Sequence, residues 1–99
     1  MVRKDYIVEI KSWFDKINGN SYFSGRIYDS YMRLLHVMPF QYGYGRHSED
    51  VATVLIQSSS EVHENRHDLW RKCYFNHQEA LKRDTVSFGK DLNGEAMYD

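Results

Sequence analysis

The sequence predicts an α+β domain: a three-stranded antiparallel meander, then two helices packed on one sheet face, then a short late strand. Three observations carry that reading. Apolar residues alternate with period two along most of residues 6–40. The segment 38–50, Met-Pro-Phe-Gln-Tyr-Gly-Tyr-Gly-Arg-His-Ser-Glu-Asp, holds the only proline and two of the six glycines, so it breaks the strand pattern. Beyond Ser48 the spacing of Val51, Val54 and Leu55 becomes helical.

Ninety-nine residues suit one small domain, 1–99, with 91–99 expected to be a frayed tail. The apolar fraction of 41 % builds a modest core, and eight tyrosines, five phenylalanines and two tryptophans supply much of its area. A net charge of −1 argues against a general electrostatic nucleic-acid binder and leaves room for a local basic patch. Cys73 is the single cysteine, which excludes an intramolecular disulfide and fits a reducing, cytoplasmic setting. No apolar run follows Arg3 and Lys4, so a signal peptide is not expected, nor is a membrane span.

The first strand covers residues 6–14, with Tyr6, Val8, Ile10 and Phe14 on one face and Ile7, Glu9, Lys11 and Trp13 on the other. Asn18-Gly19 makes a hairpin turn. Residues 21–28 return as the second strand, Phe23 and Ile27 opposing Tyr22, Arg26 and Tyr28. Gly25 between them admits a close neighbour. After a turn at 29–31, residues 32–40 form the third strand, ended or bulged at Pro39. Ser48 is the expected N-cap of a helix over 49–57, with Glu49 and Asp50 in its first turn. Ser58 and Glu61 fit a capping box that opens a second helix, whose apolar stripe is Trp70, Cys73, Tyr74 and Leu81. Asn76 and His77 are its expected terminators. Residues 83–88 then read as the late strand, stopped by Gly89.

Asn20-Ser21-Tyr22-Phe23-Ser24 and Pro39-Phe40-Gln41-Tyr42-Gly43-Tyr44-Gly45 resemble segments of small bacteriophage-encoded proteins of unassigned biochemical function. The resemblance spans roughly residues 5–56, and weakly 69–73. It implies a phage accessory protein in the cytoplasm of an infected bacterium and implies no reaction. Genes of that class often encode inhibitors of host or defence machinery.

Four constellations bear on chemistry. His63-Glu64-Asn65-Arg66-His67 fits H-E-x-x-H, which on a helix sets two imidazoles as zinc ligands beside a general base, with Glu79 as a third ligand. Arg66 inside the motif and its polar flanks favour a plain solvated helix face. Gly43-Tyr44-Gly45-Arg46 before a helix has the parts of an anion cradle, with Tyr42 and Tyr44 to stack on bases, but Glu49 and Asp50 repel an anion there. The tyrosines Tyr22, Tyr28, Tyr31, Tyr42 and Tyr44, with Trp13 and Arg26, are residue types that dominate binding hot spots. Cys73 reads as a small core residue and His36 as packed or hydrogen-bonded.

One helical layer cannot bury both Phe23 and Ile27 and, opposite them, Tyr22 and Tyr28. That points to a binding face. Together with the resemblance it makes the expectation a non-enzymatic binding protein without metal or cofactor, acting, as the resemblance implies, by occupying a host or phage protein surface. Its contact residues are Trp13, Tyr22, Arg26, Tyr28, Phe40, Tyr42, Tyr44 and Arg46. A homodimer contact through the same face, and nucleic-acid binding by the Gly-rich aromatic loop, are the competing uses.

Overall fold

The computed structural model describes residues 4–59 and 64–90. β1 (Tyr6–Asp15) and β2 (Asn20–Asp29) form an antiparallel hairpin pairing Tyr6 with Asp29 and Asp15 with Asn20. Asp15 closes its turn by accepting from Ile17 N (3.0 Å), Asn18 N (3.3 Å) and Asn18 Nδ2 (2.8 Å). The Asn18 side chain, and then the two amides, hold the Asp15 carboxyl below its usual range. β3 (Leu34–Tyr42) completes the meander. Between the pairs Phe23–Gln41 and Gly25–Met38, Pro39 and Phe40 stand opposite Ser24 alone. Proline has no N–H to give the ladder, and the bulge accommodates it. A Cβ on Gly25 would lie 2.9 Å from the Glu9 carbonyl and inside contact with the Met38 methyl, so the expected close packing is real.

The chain continues through α1 (His47–Ser59), α2 (Arg66–Arg71), β4 (Cys73–Glu79) and α3 (Lys82–Phe88). β4 adds to β1 in parallel, giving one mixed sheet of order β3-β2-β1-β4. The predicted class holds: a meander, helices on the sheet, and a late strand. α1 and α2 cover one face, where Ala52, Ile56 and Leu69 close over Val8, Ile10, Phe23, Ile27, Met38 and Cys73. α3 lies on the other face, where Ser24 Oγ donates to Thr85 O at 2.5 Å.

Several boundaries differ from the sequence reading. The late strand occupies 73–79, and 82–88 is helical. Trp70, Cys73 and Tyr74 have helical spacing, yet the helix stops at Arg71 and Cys73 begins a strand. α1 starts at His47, so Ser48 lies buried in its first turn instead of capping it. α1 also runs through Ser58 and Ser59, so Ser58 cannot open a second helix. Asn65 caps α2 instead, its side chain accepting from Asp68 N at 2.9 Å. Glu61 and the tail 91–99 lie outside the described residues. No described helix is long and apolar enough to cross a membrane.

Candidate binding surface

Strand register decides which aromatics meet. Trp13 pairs with Tyr22 across β1–β2, and Tyr22 with Tyr42 across β2–β3. All three side chains therefore emerge on the α3 face. The extra residue of the bulge puts Phe40 there too. Trp13 and Tyr22 stack with centroids 5.5 Å apart, and Tyr22 and Phe40 stack at 5.2 Å, nearly parallel at 8°. Tyr42 meets Tyr22 edge-on at 5.9 Å, and Tyr44 meets Tyr42 edge-on at 6.5 Å. Such pairs contribute about 0.5–1.5 kcal/mol each beyond their area, so the inner rings form a firm platform. The outer two rings are open to solvent, Tyr42 56 % and Tyr44 70 % exposed.

The apolar surface extends around this end of the sheet. Phe14 at the end of β1, Ile17 in the hairpin turn and Leu81 after β4 are all exposed. An open groove of about 510 Å³ runs past Trp13, Phe14, Ala80 and Leu81. Lys82 Nζ sits 5.3 Å over the Trp13 ring, placing a cation at the rim. Exposed apolar residues gathered at one end of a small domain mark an interaction surface more than singly scattered ones do.

Three of the sequence-predicted contact residues are not in this array. Arg26 donates from Nε to Phe88 O (3.2 Å) and from a terminal nitrogen to Lys90 O (3.3 Å), with its guanidinium 4.6 Å over the Phe88 ring. It fastens the C-terminal end of α3 to the sheet, satisfying carbonyls the helix leaves free. Tyr28 shares the face but lies six residues along β2 from Tyr22, about 20 Å away at strand rise. Arg46 turns towards the opposite helical layer, 4.9 Å over the Trp70 ring and 3.8 Å from Glu49 Oε1. Tyr31 is exposed in the β2–β3 turn, at the far end of the sheet.

Sequence reasoning missed the hub to which Arg46 belongs. Glu49 Oε1 accepts from the Trp70 indole at 2.8 Å, and Glu49 Oε2 lies 2.7 Å from His77 Nε2. One carboxylate in the first turn of α1 thus ties down α2 and β4. Its acidic position was visible in the sequence. Its partners were not, because His77 was placed at the end of a helix.

The other constellations resolve differently. H-E-x-x-H needs its residues on one helix, but Glu64 and Asn65 precede α2. Glu64 is ion-paired with Lys72, and His67 stacks on Trp70 at 6.4 Å. His63 lies outside the described residues. Glu79 ends β4 on the edge of the sheet. Cys73 is buried and its thiol donates to Leu69 O at 3.3 Å, and burial pushes its pKa up to about 12. His36 Nε2 is hydrogen-bonded with Ser59 Oγ at 2.7 Å, as expected for that position. No family model matches the chain, and no curated protein or solved structure is significantly similar to it.

Proposed function

We propose that the chain is a non-enzymatic binding protein that acts by occupying a protein surface through Trp13, Tyr22, Phe40, Tyr42 and Tyr44. The observation that carries this reading is the graded array: three rings stacked on the sheet and two exposed rings built on top of them. A rigid base with open tyrosines offers a partner much area at little ordering cost. The resemblance carried by residues 20–24 and 39–45 supplies the setting: a phage protein that blocks a component of the host or its defence.

Affinity capture from bacterial lysate, followed by mass spectrometry, tests the reading. One stoichiometric protein partner should be retained by the wild type and by Tyr31→Ala, and lost with Tyr42→Ala plus Tyr44→Ala. Equal recovery with the double variant would remove the array from the contact.

One observation supports a second use. Aromatics on adjacent strands, beside α3 on its sheet face and with Lys82 at the rim, are an arrangement on which unpaired bases stack. Binding of single-stranded RNA or DNA that weakens steeply with salt would favour this use over the first.

A further inference from the structure

The two edges of the sheet are built differently. β3 carries Pro39, the bulge opposite Ser24 and a second register shift between Ile27 and Tyr28. These are devices that keep an edge from pairing with another chain. β4, Cys-Tyr-Phe-Asn-His-Gln-Glu, has none of them. Its register with β1 is unbroken from Tyr6–Cys73 to Ser12–Glu79. Lys72 O accepts from Asp5 N and Tyr6 N, and Ala80 N donates to Ser12 O at 2.8 Å. Even-numbered residues of this stretch therefore turn their backbone groups to β1. By alternation, Cys73, Phe75, His77 and Glu79 turn theirs outward. Among the described residues, β1 is the one strand beside β4.

We infer that this edge pairs with the same edge of a second copy, antiparallel about a two-fold axis at Asn76, to make one eight-stranded sheet. The register is self-complementary. Cys73 stands opposite Glu79 of the second copy, Phe75 opposite His77, Tyr74 opposite Gln78, and Asn76 opposite itself. All outward-facing residues then meet as hydrogen-bonded pairs, giving about eight N–H···O bonds. No like charges are opposed. Exposed Glu79 arrives beside Cys73 of the copy, where Lys4 and Arg71 line the adjoining groove. They outnumber Glu49, whose carboxylate is already bonded to Trp70 and His77, so Glu79 meets net positive charge at both ends. Phe75 and His77, stacked at 6.4 Å within one chain, meet the same two rings of the other and form a four-ring cluster.

Because the axis stands perpendicular to the sheet, both aromatic arrays face the same way. The dimer thus presents two copies of the surface to a partner or to a repeated one, where tethering raises avidity. The pairing itself does not rest on the proposed function.

Light scattering on the eluting chain, from micromolar to sub-millimolar concentration, tests the pairing. The wild type should be a dimer. Asn76→Lys and Asn76→Asp, which each set like charges face to face on the axis, should weaken it roughly fivefold or more. An equimolar mixture of the two variants should restore it. Amide exchange on the wild type decides the matter even where a variant fails to fold: the Phe75 and His77 amides should exchange more slowly as concentration rises. A wild type monomeric throughout, a dimer indifferent to Asn76→Lys, or concentration-independent exchange at Phe75 and His77 overturns the inference.

Discussion

Glu49 and Trp70 are 21 residues apart in the chain, and the Trp70 indole donates to Glu49 Oε1 across 2.8 Å. The same carboxylate reaches His77 through its other oxygen. Three elements, α1, α2 and β4, are thereby tied at one point beside the core they share. Replacing Glu49 by Ala should therefore cost about 2 kcal/mol, the range for hydrogen bonds to a charged group. Trp70→Phe, which removes the indole N–H and keeps most of the ring, should cost about 1 kcal/mol. Urea denaturation of both variants measures this. A Glu49→Ala midpoint equal to wild type would mean that the hub contributes nothing to stability.

The end of α3 offers a steric test. A Cβ on Gly89 would lie 2.7 Å from Phe40 N and 3.1 Å from the Pro39 carbonyl carbon, both backbone atoms of the bulge. Neither can rotate away. Gly89→Ala should destabilise by about 1–3 kcal/mol, the usual cost of overpacking. That lowers the melting temperature of a domain this size by at least about 4 °C. It should also shift Phe40, and so weaken partner binding beyond what Arg26→Lys does. Calorimetry with a binding assay separates the two effects.

What the sequence made legible follows from where burial is one-sided. β1 and β2 alternate cleanly, because Val8, Ile10, Phe23 and Ile27 face the helices while the other face stays half open. The bulge was visible in Pro39. β4 was not visible, because an edge strand with Asn76, Gln78 and Glu79 exposed or half-buried has little alternation to show. Trp70, Cys73 and Tyr74 happen to fall at helical spacing across the junction. Thr85, Val86 and Phe88 have strand chemistry, yet Thr85 Oγ1 donates back to Leu81 O at 2.9 Å and the segment coils onto Ser24. Of the candidate site, residue types found the stacked rings. Only the packing of the helices on the sheet could show that Arg26 is engaged with the end of α3 and Arg46 with Trp70 and Glu49.

Acid should act through two turn carboxylates. Asn18 holds the Asp15 pKa down, and the Arg33 backbone amide, followed by its side chain, does the same for Asp29. A carboxylate whose folded pKa is depressed stabilises above its unfolded value and ceases to do so as pH falls through the folded one. The urea midpoint should therefore decline as pH drops below about 4, where unfolded aspartates begin to protonate. The Asp15→Asn plus Asp29→Asn variant should show a shallower decline. An identical acid limb in wild type and variant would place the acid sensitivity elsewhere.

Cys73 gives a prediction at the alkaline end. Burial raises its thiol from 9.0 to about 12 in the folded chain. At pH 8 the native thiolate fraction is then about one in ten thousand, against about one in ten for an unfolded thiol near its ordinary value. Thiolate is the reactive species, so native protein should resist iodoacetamide and react rapidly once urea unfolds it. The sign for stability follows from the same difference. Below pH 9 both states keep the proton, whereas between about 9 and 12 the unfolded state alone releases it, so stability falls across that window. Cys73→Ala should remove the thiol's contribution to the fall. It should also cost roughly 1 kcal/mol at neutral pH, because the sulfur fills space beneath Leu69. Native labelling as fast as in urea would show that Cys73 is open to solvent and that the α2–β4 junction is looser than its packing implies.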